Sequence, residues 1–170
     1  FEFDFLGWTT AETGAPFIPW SIAGAGSGAG YDMAPTQPQD GTRVAWNGFD
    51  GSGPMTFTMH QDVAIRAGAS SAVLEWKDRV QWNFFVGTQT LPRSYEVQVR
   101  DPATDVVLQT LFTFSAGIAP GRGDSGWMSH SVNLSAFTGS TVRIYFLETI
   151  PEPFTGPGQI EFDAVRLPVN

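Results

Sequence analysis

The sequence predicts an all-β fold: a two-sheet antiparallel jelly-roll β-sandwich, forming a single domain over residues 1–170. Three observations predict it. Apolar and polar residues alternate with period two along most of the chain, and helical periodicity is almost absent. Short strand-like runs follow one another closely, separated by turn signals, and eight or nine such runs in one domain make two packed sheets. The composition matches: 14% aromatic residues, 19 Gly and 12 Pro, with 15% charged, suit pleated strands and tight turns rather than helices. At 170 residues the core is large enough for the domain to fold unaided.

The opening run Phe1-Glu2-Phe3-Asp4-Phe5-Leu6-Gly7-Trp8 reads as the first strand, and its alternation puts Glu2 and Asp4 on the same side. Residues 9–40 read as loop, with the glycine-rich run Gly24–Gly30 and prolines at 35 and 38. A connection of that length in a compact domain is functional or ordered by something else, such as a metal. Thr42–Trp46 is a short strand. Met55–Ile65 alternates through Phe57, Met59, Gln61 and Val63. Ala72–Phe85 is the longest, with Leu74, Trp76, Val80 and Trp82 on one face. Ser94–Arg100 and Val106–Phe114 form a hairpin around the Asp101–Asp105 turn. Trp127–Leu134, Thr141–Leu147 and Ile160–Leu167 complete the strands, and Ser135–Gly139 reads as one helical turn. There is no internal repeat and no domain boundary.

The net charge of −8 repels phosphate backbones and anionic lipid, which argues against nucleic acid and membrane surfaces as partners. No apolar run is long enough for a transmembrane helix, and no basic n-region followed by an apolar h-region is present; a signal peptide, if one existed, has been removed before Phe1, and the chain reads as a mature or excised fragment. With no cysteine, disulfides, thiolate zinc sites and cysteine nucleophiles are excluded. The same composition fits a secreted or cell-surface prokaryotic protein.

Acidic residues stand inside both terminal strand patterns, at Glu2 and Asp4 and again at Glu161 and Asp163. First and last strands lying side by side would bring Asp4 or Glu2 close to Asp163. Buried carboxylates so placed repel one another, and a hard cation such as Ca²⁺ relieves both the repulsion and the burial cost. The alternative for Asp163 is a carboxylate satisfied by solvent or backbone N–H groups.

Several segments carry a resemblance. Phe3-Asp4-Phe5-Leu6-Gly7-Trp8, Gln61–Ile65 with Arg66-Ala67-Gly68 and Ala72–Trp76, Ser131–Ile144 and Phe162–Leu167 resemble bacterial jelly-roll carbohydrate-binding modules of the galactose-binding-like superfamily. The superfamily likeness extends to surface-protein and adhesion modules, so it implies fold more than ligand. It also implies a structural Ca²⁺ joining the first strand, an early loop and the last strand. Carried onto this sequence, the ligands are Glu2 or Asp4, Asp40 and Asp163, with carbonyls from Gly24–Gly30.

Glu75, Lys77, Arg79 and Gln81 project from one side of the longest strand, as hydrogen-bonding groups of a sugar site do. Arg143 and Tyr145 join them if the two strands share a sheet. The alternative is a solvated face with cross-strand ion pairs. Trp82, with Trp20 and Trp46, lies near strand ends where an indole can stack on a pyranose or simply cover the core. Trp8, Trp76 and Trp127 read as core. Asp78 falls on the apolar face beside Trp76 and Val80, which predicts a bulge, a buried hydrogen bond or a site role.

Gly123-Asp124-Ser125-Gly126 lacks the surroundings of a protease nucleophile, with Trp127 following it and neither His60 nor His130 in a matching context. Arg122-Gly123-Asp124 and the sequon at Asn133 are short chance matches. The function expected is therefore a non-catalytic secreted module that binds polysaccharide or cell-surface glycan. The competing reading is a subunit of an extracellular filament, appendage or surface layer, joined to like subunits through the Phe1–Phe5 strand.

Overall fold

The computed structural model describes residues 1–14, 16–49, 54–84, 92–116, 120–151 and 156–170. Among them are eleven strands: β1 (Thr9–Thr13), β2 (Ile18–Ala23), β3 (Val44–Phe49), β4 (Met55–Ala64), β5 (Val73–Phe84), β6 (Arg93–Arg100), β7 (Val107–Ala116), β8 (Gly121–Asp124), β9 (Met128–Asn133), β10 (Thr141–Ile150) and β11 (Gly158–Arg166). One sheet runs β1-β4-β10-β6-β7. The other runs β2-β3-β11-β5, with β8 and β9 sharing the far side of β5. Every pairing between these strands is antiparallel. This is the two-sheet sandwich that the alternation predicts.

The period-two pattern decides what lies between the sheets. In β10, Val142, Ile144, Phe146 and Ile150 are buried, while Arg143, Tyr145 and Leu147 face outward. Phe162 of β11 meets Phe146 edge-on at 5.1 Å and Tyr95 at 5.1 Å, so the central strands of both sheets lock through aromatic rings. A short 3₁₀ turn, Ser135–Phe137, links β9 to β10 as expected.

Three expectations are corrected. Residues 1–8 are not a strand: Asp4 Oδ1 accepts the Leu6 N–H at 2.6 Å and Trp8 N–H bonds Phe5 O at 2.7 Å, folding the segment on itself. Phe1, Phe5 and Trp8 pack against the core, and Phe3 and Leu6 point to solvent, 92% and 87% exposed. Residues 9–40 are not all loop, since β1 and β2 lie within them. Gly121–Asp124, to which the sequence pattern assigns no strand, is the strand β8. The expected strand end at Phe85 falls outside the described residues.

Candidate functional site

Residues 24–41 lie as a strap across the outer face of the β2-β3-β11-β5 sheet. That face presents a row of buried polar side chains, and the strap's backbone satisfies them. Gln159 Oε1 accepts the Ala29 N–H at 2.9 Å, Gln81 Oε1 accepts the Ala34 N–H at 2.7 Å, and Glu161 Oε2 accepts the Gln37 N–H at 3.2 Å. Asp163 Oδ2 accepts both Gln39 N–H at 2.5 Å and Asp40 N–H at 3.0 Å. Burial pushes the Glu161 carboxyl up to about 6, against the opposing pull of these donors and of Arg79. Gln81 is thus a strap anchor. Arg79 is committed as well, donating two hydrogen bonds to Asp124 of β8 at 2.6 and 3.0 Å.

Beside the strap a groove of about 370 Å³ opens across β9, β5 and β11. Glu75 and Lys77 of β5 stand on it with Ser131 and Ser129 opposite on β9, and Arg166 of β11 opposite Glu75 on the other flank. Gln39 and Asp40 of the strap close the remaining side. Arg166 Nη2 donates to Asp40 Oδ2 at 2.6 Å, and that bond holds the Asp40 carboxyl below its usual range. Lys77 makes no ion pair among the described residues. Of the six polar side chains expected at one site, this groove keeps Glu75 and Lys77.

Arg143 and Tyr145 do not join them. Their strand, β10, is central in the other sheet, so these two residues occupy the opposite outer face of the molecule. There Arg143 pairs with Asp62 at 2.7 Å and Asp105 at 3.2 Å. The Tyr145 ring is covered by the Arg100 guanidinium, 3.6 Å from its centroid, and stacks with His60 at 5.5 Å. Its π-face is already occupied.

Glu2, Asp40 and Asp163 line a common cavity of about 100 Å³ with Phe1, Trp8 and Arg166. Each carboxylate is engaged as placed. Glu2 accepts from Thr42 N–H, Thr42 Oγ1 and Arg43 N–H at 2.8–3.2 Å, lying so close to Gly41 that a Cβ there would meet Glu2 Oε1 at 2.2 Å. Asp163 holds Gln39 and Asp40 through Oδ2 and Ala164 N–H through Oδ1. Asp4 is not in this corner; it caps Leu6, so it does not share a strand face with Glu2. Gly24 O is taken by the Thr36 hydroxyl at 2.7 Å. Among the described residues no three Asp, Glu or His side chains converge tightly enough to hold an ion. Three carboxylates from three segments line this one cavity, and the present geometry spends them on N–H donors and Arg166.

Trp82 is on the inward face, against Phe114 at 5.8 Å and flat on Gly123, and no tryptophan is strongly exposed among the described residues. The exposed aromatic pair is one that pattern reading missed. Phe17, just before β2, meets Tyr31 of the strap edge-on at 6.0 Å, with the two residues 52% and 43% exposed. Tyr31 and Asp32 both have positive φ, 54° and 61°, a strained pair of non-glycine residues that turns the strap here. Nothing in strand periodicity reports such a pair; two aromatics flanking loop segments were its only sequence signal.

Asp78 is fully buried and makes the hydrogen bonds its position predicts. Trp76 Nε1 donates to it at 2.7 Å and Tyr95 OH at 3.2 Å. His130 Nε2 lies 3.0 Å from the same oxygen but off the line of a hydrogen bond, and its ring stacks on Trp76 at 4.4 Å. Opposite Trp76 on β9, His130 alternates with Ser129 and Ser131, and all three line the groove.

No family model matches the chain, and no curated protein matches it in sequence. Solved structures match it over nearly its full length. One is the carbohydrate-binding module TmCBM61 in complex with β-1,4-galactotriose, with a TM-score of 0.54 and 13% identity, covering 98% of this chain and 91% of that one. Another is the K1 cleaved adhesin domain of Lys-gingipain from Porphyromonas gingivalis, at 0.53 and 14%, covering 96% and 91%. An enzymatically active domain of bacteriophage CBA120 tailspike protein 4 is similar at a TM-score of 0.47 and 10% identity, covering 98% of this chain and 20% of that one. At these identities the likeness is one of fold. The chain has the β-sandwich fold seen in both TmCBM61 and the K1 adhesin domain.

Proposed function

We propose that the protein is a non-catalytic, extracellular module that binds glycan in the groove across β9, β5 and β11. The observation that carries this reading is the convergence of Glu75, Lys77, Ser129, Ser131, Asp40 and Arg166 on a cavity of about 370 Å³. That lies within the roughly 300–1,000 Å³ usual for small-ligand sites, and few but convergent polar groups are what orient a sugar's hydroxyls. Lys77, without an ion-pair partner among the described residues, has donors to give to a ligand. The fold it shares with glycan-binding modules supports the same reading. The exposed Phe17–Tyr31 pair, farther along the same outer face, offers rings on which a longer chain's pyranoses stack. Calcium belongs to the reading as a structural ion: Glu2, Asp40 and Asp163 would hold it, Asp40 exchanging its Arg166 partner for the ion.

The test is a glycan array followed by calorimetry on the best oligosaccharide. Lys77→Ala and Glu75→Ala should each weaken binding at least tenfold with the melting temperature little changed. Phe17→Ala with Tyr31→Ala should weaken long oligosaccharides more than short ones. Unchanged affinity in both groove variants would refute the site, and an array with no hit would refute glycan binding.

A further inference from the structure

The groove does not end at Lys77 because the polar face ends there; it ends because the strap covers the rest. Across β5 and β11 the register pairs Lys77 with Asp163, Arg79 with Glu161 and Gln81 with Gln159, all on one face. From Lys77 to Gln81 that face runs about 13 Å farther, four residues at roughly 3.3 Å each. Gln39 and Asp40, which close the groove, belong to the strap itself. What holds the strap down is polar. None of residues 24–41 packs in the hydrophobic core of the described residues. Its bonds to β5 and β11 use their side chains: Gln159 and Gln81 hold Ala29 and Ala34, both carboxamides also donating to Ala34 O at 3.4 and 3.1 Å, and Glu161 and Asp163 hold Gln37, Gln39 and Asp40. Within the strap, Thr36 bonds Gly24 O, Gly26 N–H and both backbone groups of Ser27 at 2.6–3.0 Å, which keeps the segment together as a unit. A segment anchored without apolar burial lies at the low end of local stability, and lifting it returns carboxamides and carboxylates to water rather than exposing apolar surface.

We propose that the strap is a lid over a second length of the glycan site: when it lifts, Gln81, Gln159 and Glu161 bind further sugar units of a chain already seated in the groove. The inference rests on the glycan reading above and extends it. A carboxamide brings two donors and an acceptor, and a carboxylate brings acceptors only. Neighbouring sugar hydroxyls, each both donor and acceptor, satisfy that set. The strap meets the same side chains with peptide N–H and C=O groups, so it occupies the place that a longer glycan takes. Arg79 stays with Asp124 and is not part of the extension. The consequence is selection by length. A short glycan binds in the groove with the strap closed, whereas a long one binds with an affinity reduced by the fraction of molecules whose strap is open.

The chain has no cysteine, so Gln159→Cys places a single thiol beneath the strap at a fully buried position. Without denaturant, iodoacetamide should label it at least a hundredfold faster than a Val97→Cys thiol in the core. Amide exchange in the unmodified chain reads the same motion with every anchor in place. Ala29, Ala34 and Gln37 should exchange together, at least a hundredfold faster than amides in the middle of β10. The oligosaccharide with the strongest array signal is then added at two and at six sugar units. At saturation the six-unit chain should speed exchange at these strap amides further, and the two-unit chain should leave it unchanged. Thr36→Val removes the hydroxyl that shapes the strap and should tighten six-unit binding at least threefold with two-unit binding unchanged. Strap amides as protected as those of β10 would overturn the lid and leave the groove site standing. So would a six-unit chain that fails to speed strap exchange, or one whose affinity Thr36→Val does not raise. An array with no hit would overturn the glycan reading and this inference with it.

Discussion

Glu148 shows how one residue can set the pH response of the molecule. It sits on the inward face of β10, where burial pushes its carboxyl up to about 8, opposed by the hydrogen bond from Asn47 Nδ2 at 2.9 Å and by the charge of Arg93. Arg93 is itself held over the rings of Phe49 and Phe84, at 4.6 and 4.4 Å. A carboxyl whose folded pKa exceeds its unfolded value keeps its proton in the native state after the unfolded chain has lost it. Stability is therefore greatest near and below pH 4.5 for this group and falls as pH rises toward 8, levelling above that. Glu161, raised to about 6, works in the same direction over a narrower window. The lowered carboxyls, Asp62 and Asp124 beside their arginines, work oppositely and lose their contribution as pH falls through their folded values. Glu148→Gln should raise the melting temperature at pH 8 and flatten its decline between pH 5 and 8. A variant with the same slope as the parent would show that Glu148 does not carry the titration.

At the scale of elements, a strand exists where its side chains find both a neighbour and a layer to pack on. β8 is the clearest case. Its glycines argue for a loop, but Gly123 is required because the Trp82 indole lies against it: a Cβ there would fall 2.0 Å from Trp82 Cζ2. Gly123→Ala should cost about 1–3 kcal/mol through displacement of that ring, measured by urea unfolding. An unaffected midpoint would mean that Trp82 has room to move. The strap teaches the reverse lesson. Its 24–41 segment has little regular structure, yet it is ordered by Gln81, Gln159, Glu161 and Asp163, whose buried oxygens need its N–H groups. Long connections are ordered by what lies beneath them as readily as by a metal.

For the whole molecule, the terminal segments decide how the sandwich is closed. Residues 1–8, the strap and the end of β11 meet around Glu2, Asp40 and Asp163. If this corner holds calcium as proposed, chelation lowers the melting temperature by several degrees and millimolar Ca²⁺ restores it, since an ion bound only by the native state adds stability. Asp163→Asn should remove the response to calcium. A melt that ignores both EDTA and excess Ca²⁺ removes the metal from the account.

The sequence by itself determined the fold class and most strands, because a half-buried strand writes its burial as alternation; β4, β6 and β10 are legible residue by residue. It also determined that Glu75 and Lys77 point away from the core, and that Asp78 does not. Only the tertiary structure decided which strands are neighbours. Sheet order rests on contacts between residues far apart in the chain, which local periodicity does not encode; hence Arg143 and Tyr145 lie on the opposite face from Glu75. It likewise decided that Arg79 and Gln81 are spent on Asp124 and the strap rather than open to a ligand. The opening Phe-Glu-Phe-Asp-Phe run alternates like a strand, but Asp4 captures a backbone N–H two residues on and Gly7 turns the chain at φ 81°. A local hydrogen bond there outcompetes the ladder that the pattern predicts.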